Sequence, residues 1–358
     1  MKFGRTPQEL YREIVRQRDS KLDYVLDTRV LHMDADENNT LINITNNKTG
    51  EVLILGVNEI AHNQIGTNLS IPSKYYDKMR AENPELLATN VNSWFEKEPK
   101  KRMVRTLDST MRAFLSDRYH CIDNDKIAEA VLPIIFDMPE ARIESCEITD
   151  QRMYIKVVNP KLTTEVVPGD IVQSGILITN SEVGMGSVTI QPLIYRLVCT
   201  NGMVVNDAKV RKYHVGKTTQ TDEDFIIYSE ETMLAEDQLL MMKIRDTMRS
   251  VVDSTRFEKV VDLMRSARNA RITSNNIPAM VQLTGKDYGY TAKEGESILD
   301  YLIRGGDLSL YGMANAVTRA AQDVASYDRS TALESVGYDI LSMGQREWNR
   351  LNAAEAVA

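Results

Sequence analysis

Residues 213–219 read YHVGKTT, and Gly216, Lys217 and Thr218 are the residue types with which a phosphate-binding loop holds a nucleoside triphosphate. The full loop needs a glycine five positions earlier, so that its amides can wrap around the phosphates. Arg211 stands there, and no other glycine lies between Gly202 and Gly216. The preceding NDAKVRKY is polar where a buried strand is required, and Asp222, Glu223 and Asp224 follow, setting like charges against a bound phosphate. A basic loop with a chance Gly-Lys-Thr explains the stretch better. The purified protein is therefore expected to show no ATPase activity, and turnover abolished by Lys217→Ala contradicts that expectation.

Other catalytic patterns are equally incomplete. Asp34, Asp36 and Asn38 imitate the start of a calcium loop, but Asn39 stands where glycine is needed and Thr45 where a bidentate Glu is needed. A hairpin turn accounts for them. His32, His62, His120 and His214 are scattered, without a His-Glu-x-x-His or Cys-x-x-Cys spacing for zinc. Cys121 follows His120 directly, and neighbours in sequence point in different directions, so a nucleophile and base pair is not indicated. No Gly-x-Ser-x-Gly elbow occurs. These residues predict no catalytic set, no metal and no cofactor, and hence a protein that is not an enzyme.

The cations are more suggestive. Between Lys97 and Arg118 there are seven basic residues and three acidic ones, with Lys100, Lys101, Arg102 and Arg105 densest and Arg112, Arg118 and Tyr119 following. Between Arg196 and Lys217 lie five basic residues (Arg196, Lys209, Arg211, Lys212, Lys217) and one acidic residue, with Tyr213 among them. Asp222 to Asp237 then carries seven acids and no base. Phosphates are drawn to such cations, and an aromatic ring beside them can stack on an unpaired base. A solvated charged face is the plainer reading of any single run. The arginines from Arg245 to Arg271 sit among acids over an apolar stripe and read as a salt-bridged helix face.

What must position these residues is a chain of 358, 42% hydrophobic and 26% charged, with a formal net charge of −8. That balance excludes coating duplex DNA by bulk charge alone. No apolar run reaches membrane-spanning length, the start lacks a signal-peptide stretch, and three unpaired cysteines suit a reduced, cytoplasmic setting. TPQELYREIVRQRD predicts a helix with Thr6 as cap and Pro7 at its first position. LDYVLDTRVLHM, TLINIT and EVLILGV predict an antiparallel meander, followed by helices at Pro72–Glu82 and Pro84–Glu96 and a third near Asp108–Ser116. ARIESCEI and RMYIKVV read as a hairpin, and two long strands follow, the second running through SVTIQPLIYRLVCTNGMVV. From about Ser229 the period turns helical. The expected class is α+β, with a meander and helices over 1–107, an antiparallel β-rich core over 108–228 and a helical region over 229–358.

Three stretches together carry a family resemblance: RAFLSDRYHCIDN, then ILITNSEVGMGSVTIQPLIYRLVCTNGMVV with KYHVGKT, and LSLYGMANAVTRAAQ. They resemble the phage- and plasmid-associated proteins grouped as domain of unknown function family 932. The family's Ser-Asp-x-Tyr turn falls on Ser116 to Tyr119 and its Val-Cys-x-Asn strand end on Val198 to Asn201. Its His-x-Gly falls on His214 to Gly216, and its Trp-Gly-x-x-Asn-Ala helix on Tyr311 to Ala316, with Tyr311 where Trp is usual. The family has no established activity, so the resemblance implies a mobile-element, bacteriophage setting rather than a chemistry. The strands-then-helices layout also resembles RecT- and Erf-type single-strand annealing proteins at the level of fold.

The reading that follows is a non-enzymatic protein that binds or anneals single-stranded DNA in phage recombination or replication. Lys97, Lys100, Lys101, Arg102, Arg105, Arg112, Arg118, Arg196, Lys209, Arg211, Lys212 and Lys217 hold phosphates in it, and Tyr119 or Tyr213 stacks on bases. The alternative is a self-assembling structural or interaction protein whose basic and acidic faces pair between subunits. An enzyme on nucleotides or DNA ranks last. Homo-oligomers are expected in either of the first two cases, and no membrane partner.

Overall fold

The Thr6 hydroxyl accepts from the Glu9 N–H while the Glu9 carboxylate accepts from the Thr6 N–H, closing a capping box at the start of α1 (Pro7–Ser20). α1 buries Leu10 and Ile14 and hands over to β1 (Leu22–Asp27). This is a computed structural model, and it describes residues 1–36, 39–46, 49–206, 212–213, 230–251 and 254–353. Among the described residues, no helix is long and apolar enough to cross a membrane.

The protein is α+β and is built on two sheets. The first combines β1, β2 (Leu31–Asp36), β3 (Asn39–Thr45), β4 (Val52–Val57), β5 (Lys101–Leu107) and β6 (Thr110–Ser116) in the order β1-β5-β6-β4-β3-β2. β2, β3 and β4 form the expected meander, and Asp36 pairs with Asn39 across a hairpin turn. Two expectations are corrected. The stretch 22–33 is two strands parted by a one-turn 3-10 helix, and β1 lies at the opposite edge from β2. The helix expected at Asp108–Ser116 is strand β6, because a left-handed turn at Asp108 and Ser109 folds it back onto β5 and its apolar residues pair there. β6 runs parallel to β4, so this sheet is mixed and crosses the 107/108 boundary.

Three helices cover one face of this sheet: α2 (Glu59–Asn68), α3 (Ser73–Glu82) and α4 (Pro84–Lys97), the last capped by Asn83 as expected. In the core they share with it, His62 is held between the Thr40 hydroxyl (3.0 Å) and the Tyr76 hydroxyl (2.9 Å). Burial lowers its pKa from 6.5 to about 4. The unfolded chain therefore takes up this proton first, so stability fully present above pH 6.5 is lost as the pH falls toward 4. At 1.36 kcal/mol per pH unit the contribution is roughly 3 kcal/mol. Urea unfolding at pH 7.5 and 4.5 should show this loss in the wild type and a smaller one in His62→Gln. Equal losses in both contradict it.

After α5 (Asn124–Asp137) comes the second sheet: β7 (Arg142–Ile148), β8 (Met153–Glu165), β9 (Ile171–Asn180), β10 (Val188–Arg196) and β11 (Asn201–Val204), with β12 (Lys212–Tyr213) also on β10. All its pairings are antiparallel. The long strand expected through 187–205 is instead the β10–β11 hairpin, and Cys199 lies in its turn rather than at the end of a buried strand.

The remaining described elements are helices: α6 (Glu230–Val251), α7 (Ser254–Asn269), α8 (Ile277–Tyr288), α9 (Ala292–Gly305), α10 (Leu310–Ala320), α11 (Tyr327–Leu341) and α12 (Gln345–Asn352). α7 buries Phe257, Val261 and Met264 and leaves Arg265 paired with Asp262, as its pattern predicts. α11 is locked to the sheet by Glu334, whose carboxylate meets the fully buried Lys156 ammonium of β8 at 2.6 Å.

Candidate functional site

β5 and β6 run antiparallel with Arg102 opposite Ser116, so the start of one strand and the exit of the other share one end of the first sheet. This places Arg118, two residues past Ser116, at the same end of the sheet as Lys100, Lys101 and Arg102. The end of α4 is pinned to the same place. The Thr28 hydroxyl donates to the Phe95 carbonyl (3.1 Å) and accepts from the Lys100 N–H (3.1 Å). Lys97, Lys100, Lys101 and Arg118 are exposed there, and Arg102 is half-buried with its guanidinium 6.0 Å from the Phe114 ring. Asp27, Glu96, Glu98 and Asp117 lie in the same stretches. With Arg29 counted, six cations face four carboxylates. The Lys100–Glu98 pair, at 3.8 Å and exposed at both ends, holds its ammonium weakly. The patch can accept phosphate oxygens.

Other expected phosphate ligands are turned inward. Arg105 is fully buried. It donates twice to Asp23 (2.9 Å each), once to Asp123 (2.7 Å) and once to the Glu182 carbonyl (2.8 Å). Arg112 is buried against Glu182 at 2.7 Å. Burial works against the Arg105 charge, but the hydrogen bonds to Asp23 and the field of Asp123 outweigh it and raise the pKa. Neither guanidinium can reach a DNA strand. The sequence expectation for both is corrected: Arg105 turns to Asp23 of β1, to Asp123 at the entry to α5 and to the Glu182 carbonyl, and Arg112 turns to the Glu182 carboxylate.

Asp23, Asp123, Asp125 and Glu182 form an ionic junction that is buried at Glu182, half-buried at Asp123 and Asp125 and exposed at Asp23. Asp123 stands at the entry to α5 and Asp125 in its first turn, while Glu182 comes from the β9–β10 loop and accepts from the Asn124 N–H at 2.7 Å. Donor oxygens of Asp123, Asp125 and Glu182 lie within 4.8 Å of one another, a set that could hold a metal ion. The Lys21 ammonium sits between them, at 2.7, 3.4 and 3.4 Å. The junction thus carries its own counter-charge, with Lys21, Arg105 and Arg112 against Asp23, Asp123, Asp125 and Glu182. Gly184 lets the loop close onto the first sheet: its φ is +75°, and a Cβ there would meet Leu115 at 2.7 Å.

Tyr119 belongs to this junction and not to the surface. It is half-buried, its hydroxyl donates to the Ser181 carbonyl (3.3 Å), and burial pushes its pKa up to about 12. Base stacking on Tyr119 is therefore also corrected. Cys121 and Cys146 are thiols pushed up to about 11 by burial. Alkylation of the native protein at pH 7.5, read by mass spectrometry, should leave both unmodified. Rapid labelling of either contradicts the packing described.

Arg196 is likewise engaged. Its Nε donates to Asp170 at 2.5 Å, and Asp170 also accepts from the buried Tyr311 hydroxyl at 2.8 Å. This ties the end of β10 and the β8–β9 turn to α10, and it removes Arg196 from the expected phosphate set. No local pattern marks this partnership, since Asp170 and Tyr311 lie 26 and 115 residues from Arg196. The backbone of Lys212 and Tyr213 pairs with β10 at Thr189 and Val188. Lys209, Arg211 and Lys217 lie outside the described residues, as does the Gly-Lys-Thr stretch.

The fold and site together define a two-sheet α+β protein with a cationic sheet end and an ionic junction. The chain belongs to the family described as Domain of unknown function (DUF932), whose model matches residues 113–339. The junction residues Asp123, Asp125 and Glu182, the Ser116–Tyr119 turn and Tyr311 fall inside the matched stretch; of the cationic patch, only Arg118 does. No curated protein and no solved structure matches the chain.

Proposed function

We propose that the protein binds single-stranded DNA without catalysing a reaction on it, in a phage recombination or replication setting. The observation that carries the reading is the shared end of β5 and β6, where the exposed Lys97, Lys100, Lys101 and Arg118, with the half-buried Arg102, form one cationic patch from separate elements. Phosphates of a flexible strand can follow such a short patch. A duplex presents its phosphates on a stiff, regular helix and engages fewer of them. Titration of labelled oligo-dT and of a duplex of equal length, at two salt concentrations, tests this. Tighter, salt-sensitive binding of the single strand is expected, and equal or undetectable binding of both rejects it.

Self-assembly is the second reading, and β4 favours it. Val52, Leu53 and Ile54 are all exposed, and β4 pairs with β6 only at Gly56 and Val57. An apolar strand edge with free backbone groups is a template for pairing with another copy. Light scattering of the wild type should show a mass above the monomer, reduced in Val52→Lys/Ile54→Lys. A monomeric wild type removes this reading.

A further inference from the structure

Resting on the proposed single-strand binding, we infer that Trp94 is the surface on which an unpaired base stacks, and that it sets the preference for single strands over duplex. Trp94 lies on the last full turn of α4, one residue before the buried Phe95, so its ring points away from the core that Phe95 fills. It is 38% exposed, and the Lys97 ammonium stands 5.5 Å from the indole centroid. Lys100 and Lys101 follow within a few residues on the chain pinned to Thr28.

An indole with Lys97 against it and two further lysines close along the chain matches the repeating unit of a nucleic-acid strand, a planar base next to an anionic phosphate. On binding, the base takes the ring face and the Lys97 ammonium passes to the neighbouring phosphate. Every base has a π-face, so stacking of this kind tolerates any sequence. A paired base is already stacked within its helix and cannot reach the ring. Of the tyrosines expected for this role, Tyr119 is held in the junction, and the Tyr213 side chain lies outside the described residues.

The chain has two tryptophans, and Trp348 is only 3% exposed in the C-terminal core. Emission comes from both, and a quench caused by contact with a ligand at the surface therefore reports Trp94. Addition of oligo-dT should quench the emission at saturation, while a duplex of equal length should not. Trp94→Ala should weaken oligo-dT binding by about 5- to 150-fold and leave duplex binding unchanged, and Trp94→Phe should retain most of the affinity. Salt-dependent binding of oligo-dT without quenching, with Trp94→Phe as weak as Trp94→Ala or both unaffected, overturns the assignment while the cationic patch stands. Absence of any binding overturns both. If Trp94→Ala fails to fold, the wild-type quench and the Trp94→Phe affinity still decide.

Discussion

An Arg105→Ala variant loses about 3 kcal/mol of unfolding free energy, the cost of leaving the half-buried Asp123 and the buried Glu182 carbonyl without their partner. The guanidinium is fully enclosed, bridges Asp23 to Asp123 and caps the Glu182 carbonyl. Removing it leaves Asp123 and the Glu182 carbonyl short of a donor inside the junction, while Asp23 keeps its access to water. Arg105→Lys should recover only part of the loss, since one ammonium cannot make a paired contact with Asp23 and also reach the other two acceptors. By contrast Lys101→Ala, one strand position from the half-buried Arg102 and exposed, should change stability by about half a kcal/mol or less. Chemical denaturation of the three variants checks this, and an Arg105→Ala loss as small as that of Lys101→Ala contradicts the junction described.

The same junction gives the fold an acid limit. Burial opposes the Asp123 charge, but Arg105 and Lys21 outweigh it and hold the carboxyl below its usual 3.8. A depressed carboxylate contributes stability that is present above the unfolded-state pKa and lost as pH falls through the folded one. That loss falls below about pH 4, beneath the range in which His62 acts, so the two groups are separable along one pH series.

Local signals in the sequence translated well. The Thr6 capping box, the Asn83 cap, the β2–β3–β4 meander and the β7–β8 hairpin depend on neighbours within a few residues, and the structure has all of them. The errors arose where pairing over distance overrides periodicity. TMRAFLS reads as helix by spacing, yet it is a strand because β5 and β4 lie on either side of it. LVCT reads as a strand continuing, yet left-handed Thr200 turns the chain back.

The site was half legible. Exposed cations are visible as charge runs, and Lys97, Lys100, Lys101 and Arg118 remained at the surface. Arg105, Arg112 and Arg196 carry the same charge, but their partners come from 82, 70 and 26 residues away. Nothing in a single sequence marks which arginine will be paired inward. Strand alternation was the available clue for Arg105, since it is flanked by Val104 and shares a face with Met103. Trp94 carries no signal of its own in the sequence, because one aromatic on a helix ordinarily reads as core.

Replacing Lys97, Lys100, Lys101 and Arg118 together by Ala should remove most single-strand affinity while the fold stays intact, since all four are exposed. Each neutralised phosphate releases counterions and contributes about −0.7 to the slope of log affinity against log salt for a single strand. The quadruple variant should therefore flatten that slope by roughly two to three, by the same amount for any base composition, because phosphates carry no sequence. The direct measurement is an anisotropy titration of wild type and quadruple variant with oligo-dT across a salt series. A steep wild-type slope that flattens by that amount in the variant is the expected result. A slope identical in the two proteins, whatever happens to their oligomeric state, contradicts the assignment of this sheet end to DNA.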